Sequence, residues 1–144
     1  MGRSYVPLVL ALAACGAHER STSGEVHASG PALGAFDLFP NDCTAATRGV
    51  ELPGGGQSPS VRFTLDDVTD EKLVGVLPDG QTTRIVFHAS DCTVFEVDVH
   101  VDGSVGSSRY SAPAKTWGGS AHIVCVRPGI GSIEAQVTYS KCGG

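Results

Sequence analysis

The chain has 144 residues and a formal charge of −5, from 15 acids against 10 bases. That length holds one domain with a real core, and an acidic chain with no basic run excludes a surface built to track nucleic-acid phosphates. The 19 glycines and 8 prolines, with no long amphipathic helical period, point to short strands between turns and so to an all-β fold.

Residues 1–5 carry one positive charge, Arg3, and no acid; Val6 to Ala14 are apolar apart from Pro7, and small residues Ala13 and Ala14 precede Cys15. A charged start, a short apolar middle and small residues before a cut make a secretory signal. Nine helical residues rise only ~14 Å against a hydrocarbon core of roughly 30 Å, so this run is too short to span a bilayer. Leu12-Ala13-Ala14-Cys15 resembles the lipobox of bacterial lipoproteins. The resemblance covers the signal alone. It implies that residues 1–14 are removed and that Cys15 carries a thioether-linked diacylglycerol and an amide-linked acyl chain. The lipid bilayer of the cell envelope is then the first partner, and two such anchoring signals hold a protein stably. Gly16 in place of an aspartate implies, by the same resemblance, the outer rather than the inner membrane.

Residues 16–31 read GAHERSTSGEVHASGP, polar and without a period. This suggests a flexible tether over 15–32, with His18 and His27 as solvated linker histidines, and a single domain over 33–144. Leu33–Phe39 suggests a first strand. Thr44–Ser60 reads as an irregular loop around a short piece at Gly49–Leu52. Val61–Asp66 alternates apolar and polar as a half-buried strand does, and the acids Asp66, Asp67, Asp70 and Glu71 after it read as a solvated turn. Pro78-Asp79-Gly80 between Lys72–Leu77 and Gln81–His88 is a hairpin signal, because proline presets φ and glycine accepts the positive φ that closes the turn. Val94–Val101 sends Phe95, Val97, Val99 and Val101 one way and Glu96, Asp98 and His100 the other. A Gly/Ser loop is expected over Gly103–Gly119. Strands at Ser120–Val126 and Ser132–Tyr139 follow, joined by Pro128-Gly129-Ile130-Gly131. The pattern is that of a small antiparallel β-sandwich, Ig-like or jelly-roll-like, with two disulfides.

The disulfides follow from counting. Of the five cysteines, the lipobox takes Cys15, and Cys43, Cys92, Cys125 and Cys142 remain. Four cysteines in an exported chain read as two bridges, and no C-x2-C pair suggests zinc instead. In a meander of the last strands, Phe95 is expected opposite Cys125 and Cys125 opposite Ile133. Cys92 then begins its strand at the same end as Cys125. Cys142 lies nine residues past Ile133, roughly 30 Å along the sheet, while a bridge needs Cα atoms within about 7 Å. Cys92–Cys125 is therefore favoured, and Cys43–Cys142 follows by elimination.

The same register sets Arg84 opposite Asp98, Asp98 opposite His122 and His122 opposite Gln136, with His100 diagonal to His122. Asp98, His100 and His122 are thus a candidate divalent-metal site. Tyr110 and Trp117, in the expected Gly/Ser loop, are candidate binding aromatics. The chain has no G-x-S-x-G and no H-E-x-x-H, and no motif in it implies a cofactor. The expectation is a membrane-anchored envelope module that binds an envelope or extracellular partner, or serves structurally, without catalysis. The alternative is a secreted hydrolase, or a metal-dependent protein using the His/Asp row.

Overall fold

The computed structural model describes residues 19–54, 56–106, 109–110 and 112–143. The signal, Cys15 and His18 lie outside the described residues. Ten strands follow in order: β1 Ser21–Gly30, β2 Gly34–Leu38, β3 Thr44–Ala46, β4 Gly49–Leu52, β5 Ser60–Leu65, β6 Lys72–Leu77, β7 Ile85–Phe87, β8 Cys92–Val105, β9 Ala114–Arg127 and β10 Gly131–Cys142. They form two five-stranded antiparallel sheets, ordered β2-β1-β10-β9-β8 and β3-β4-β5-β6-β7. The second sheet is an unbroken meander. The first is a β8-β9-β10 meander closed by the earlier β1-β2 hairpin. A β-sandwich with two disulfides is therefore the architecture, as the alternating runs imply.

The sheets lie crosswise. Cys43, just before β3, is bridged to Cys142 at the end of β10. Arg127, at the far end of β9, donates from Nη1 to the Val86 carbonyl in β7 at 2.8 Å. Stepping from β3 to β7 across the second sheet thus means travelling along the strands of the first, an arrangement typical of orthogonal sheet packing. Between them lies the core: Leu52, Val61, Phe63, Val74, Val76 and Phe87 from one sheet, Val26, Ile123, Ile133 and Val137 from the other, each 2% exposed or less. Each such aliphatic or aromatic side chain contributes about 1.5–3 kcal/mol by leaving water. Tyr139 stacks on Phe63 at 5.8 Å, and its hydroxyl donates to the Asp98 carbonyl at 2.7 Å. It reaches there past Gly119 (φ 146°), where a Cβ would run into that same carbonyl. Burial pushes the Tyr139 phenol far above its ordinary value, so it stays a neutral donor.

Three expectations need correction. Ser21–Gly30 is no tether but an interior strand, paired with β10 on one side and β2 on the other. Val26 and Ala28 are its buried positions, and Gly24 (φ 106°) sits against Gln136, where a side chain would collide. Its composition reads as linker because the pairing, and not its own apolar content, places it. Second, the expected Gly/Ser loop is mostly strand: β8 continues to Val105 and β9 begins at Ala114, leaving a short connection at 106–113. Gly103, Gly118 and Gly119 lie within the ladder, opposite Thr116, His100 and Val99. Third, β7 and β8 do not pair. A single 3₁₀ turn at Ala89–Asp91, closed by the Asp91 amide on the His88 carbonyl at 2.9 Å, carries the chain from one sheet to the other. Thr44–Ala46 also forms a short hairpin with β4 where a loop was expected, and β7 starts at Ile85 instead of Gln81.

Both bridges join the expected partners, Cys43 with Cys142 and Cys92 with Cys125. Ile133 stands opposite Cys125 as expected, but Phe95 stands opposite Ile123. The observed β8–β9 register thus differs from the expected one by two residues, and an irregularity between Cys92 and Val94 slips it by one more at the start of the strand. A two-residue shift keeps every side chain on its expected face while changing its neighbours across the ladder.

Candidate functional site

Side chains alternate across the first sheet, so its outer face is set by the residues between the buried ones. In β1 these are Glu25, His27 and Ser29; in β2, Ala35 and Asp37; in β10, Ser132, Glu134 and Gln136; in β9, His122, Val124 and Val126; in β8, Glu96, Asp98 and His100. His27 is the best-held group on that face. Its Nδ1 donates to Asp37 Oδ1 at 2.6 Å, and its Nε2 lies 3.4 Å from Glu25 Oε2. The hydrogen bond to Asp37 is the main cause of a raised His27 pKa; slight desolvation opposes it, and the nearby charges of Asp37 and Glu25 add to it. Phe39 packs edge-on against the ring at 6.2 Å.

The other two histidines of the face also sit beside carboxylates. His100 Nδ1 donates to Asp98 Oδ2 at 2.8 Å, and His122 Nδ1 lies 3.4 Å from Glu96 Oε2. Asp98, His100 and His122 are therefore split between two pairs and do not form one site. The register shift is the cause: Glu96, not Asp98, is opposite His122, and Asp98 is opposite Ser120. No group of three potential metal ligands gathers among the described residues. His122 does stand opposite Gln136 as expected.

Arg84, expected beside Asp98, belongs to the second sheet. There it donates from Nη2 to Glu51 Oε1 at 2.5 Å, while Arg62 Nη2 donates to Glu51 Oε2 at 2.7 Å and Ser60 Oγ to Glu51 Oε1 at 3.0 Å. Burial raises the Glu51 pKa, but these hydrogen bonds outweigh it and hold the carboxyl below its ordinary value. The centre ties β4 and β5 to the segment before β7.

Trp117 is in β9, half-buried against the core between Val101 and Cys142, and not in a loop. Tyr110 is in the short β8–β9 connection and is 96% exposed. Asp66 behaves as the acidic turn requires: its Oδ1 accepts the amides of Val68 at 2.7 Å and Thr69 at 3.3 Å, which keeps its carboxyl below the ordinary value.

Among the described residues, several hollows open on the outer face of the first sheet, one of about 430 Å³ between Ser23–Glu25 of β1 and Gln136–Thr138 of β10. A depression of about 670 Å³ spans β2, β1, β10 and β9, with His27, Asp37 and Glu134 at its rim and Ala35, Val124 and Val126 among its lining. Beside it Glu25, His27, His122, Glu134 and Gln136 surround a recess of about 40 Å³. The Asp37–His27 pair resembles the orienting half of a nucleophilic triad, but Nε2 meets the Glu25 carboxylate where a serine hydroxyl would be needed. The nearby Ser29 hydroxyl is paired with that of Ser132 at 3.3 Å. His27, Asp37 and Glu134 escaped the sequence reading, although Glu25-Val26-His27-Ala28 alternates polar with apolar and carries the signal of a strand. Comparison with family models, with curated proteins and with solved structures finds no match for this chain.

Proposed function

We propose that the protein is a lipid-anchored, non-catalytic binding module of a bacterial cell envelope, held by acyl chains on Cys15 in the outer membrane. It meets its partner with the outer face of its first sheet. The supporting observation is the use of sulfur. The four cysteines beyond the lipobox pair among themselves, so an odd fifth cysteine directly after Leu12-Ala13-Ala14 fits acylation. A doubly bridged, crosswise sandwich is a rigid support, and the open depression on one face gives it a surface on which to bind.

Two measurements on protein from its native host test this. Intact mass should give a chain that begins at Cys15 and carries a diacylglyceryl and an acyl group; an unacylated chain starting elsewhere refutes the anchor. Carbodiimide labelling should modify Asp37 and Glu134 less in intact cells than in purified protein. Equal labelling in both refutes the binding face.

A further inference from the structure

We infer that the depression bordered by β2, β1, β10 and β9 receives lysine or arginine side chains of an extended peptide segment from a partner protein. This rests on the reading of that face as a binding surface and names what it binds. The hollow has two chemistries. Its lining includes Ala35, Val124 and Val126, and Val126 is 59% exposed, a large apolar surface for an open position. Its rim carries the carboxylates of Asp37 and Glu134, and no lysine or arginine among the described residues lines it. An aliphatic stem ending in a cation matches both, and lysine and arginine are the side chains of that form. An anion would meet the rim carboxylates as like charges, and a plain apolar group would desolvate Glu134 without a compensating charge.

The hollow is open and continues across the sheet. Glu25 lies beyond His27 on β1, and Glu96 and Asp98 follow on β8. A free small amine would stay mostly in water there, whereas pockets for such ligands enclose most of their surface. An extended segment lying over the sheet presents alternate side chains downward about 7 Å apart, and places successive cations over this row.

His27 gives the interaction a pH signature. Glu25 faces it from its own strand, Asp37 from β2 and Glu134 from β10, with His122 across the small recess on β9. As His27 takes a proton, its imidazolium occupies Asp37 and cancels rim charge, so a cationic segment binds more weakly on acidification.

The test is fluorescence anisotropy with the full chain, both bridges intact, and a labelled peptide of alternating arginine and valine. Saturable binding is expected that weakens with salt and between pH 8 and pH 6. Asp37→Asn and Glu134→Gln should each weaken it about two- to fivefold, as exposed ion pairs do. Val126→Lys, at an exposed position that leaves the core intact, should weaken it further, and Glu71→Gln on the other sheet should leave it unchanged. The inference is overturned by an absence of binding at low salt, by equal binding of a glutamate–valine peptide, or by equal affinity in the Asp37, Glu134 and Val126 variants. Competition by free butylamine as strong as by the peptide, or self-association without peptide binding, also overturns it. Masking of Asp37 and Glu134 in cells alongside failure with this peptide would remove the cationic partner and leave the binding face standing.

Discussion

His27 is a contact between strands as much as a surface group. Its hydrogen bond to Asp37 joins β1 to β2, and the folded chain favours the protonated ring over the unfolded value of 6.5. A group whose pKa rises on folding stabilises fully below its unfolded pKa, and that contribution fades as pH climbs through the raised value. The stability difference between wild type and His27→Gln, from urea unfolding, should therefore be larger at pH 6 than at pH 8.5. A difference that grows toward alkaline pH would contradict the Asp37 pairing. Sequence reading assigned this ring to solvent because the segment 16–31 around it is polar and rich in small residues, and the partner that fixes it comes from a separate strand. The carboxylates of β8 were legible as facing outward, but the identity of each one's cross-strand neighbour was not. Outward direction depends on a period of two, whereas the neighbour depends on the register between strands, which no local pattern encodes.

Among the elements, β1 departs most from its sequence and shows why. β10 spells out its own role, with Ile133, Ala135, Val137 and Tyr139 buried in alternation. β1 buries Val26 and Ala28 and gains its place from hydrogen bonds to neighbours on both sides. A chain shortened to begin at Pro31 should for that reason fail to fold cooperatively. It would leave one edge of β10 unpaired and uncover Ile133 and Ala135. A chain beginning at Glu19 should give a thermal transition like that of the longer protein. Circular dichroism melts of the two distinguish a domain that starts at β1 from one that starts after it.

For the molecule as a whole, the sandwich was readable from its alternating runs and turns, and its bridges from reach, while the crosswise angle of the sheets was not. Nine residues of strand carry Cys142 too far from Cys125 to bridge it, whatever the details of register. What stayed hidden was the passage of the chain from the second sheet back to the first, which moved Arg84 away from Asp98. The Cys43–Cys142 bridge spans 99 residues and Cys92–Cys125 spans 33. A bridge restrains the unfolded chain more as the loop it closes lengthens. Replacing Cys43 and Cys142 by serine should thus cost about 1 kcal/mol more than replacing Cys92 and Cys125, by urea unfolding. An equal or reversed order would place the bridges' effect in the folded state.

The longer bridge makes a covalent ring of β3 through β10 and leaves β1 and β2 outside it. Were Cys15 held in a membrane, as proposed above, a tug on the domain would enter through Ser21, at the head of β1. That strand meets β10 through nine residue pairs, from Ser21 with Ser140 to Ser29 with Ser132. Traction along its axis would load those pairs together in shear instead of peeling them singly, so under the proposed anchor the strand with the least apolar content would carry the mechanical coupling between bilayer and domain.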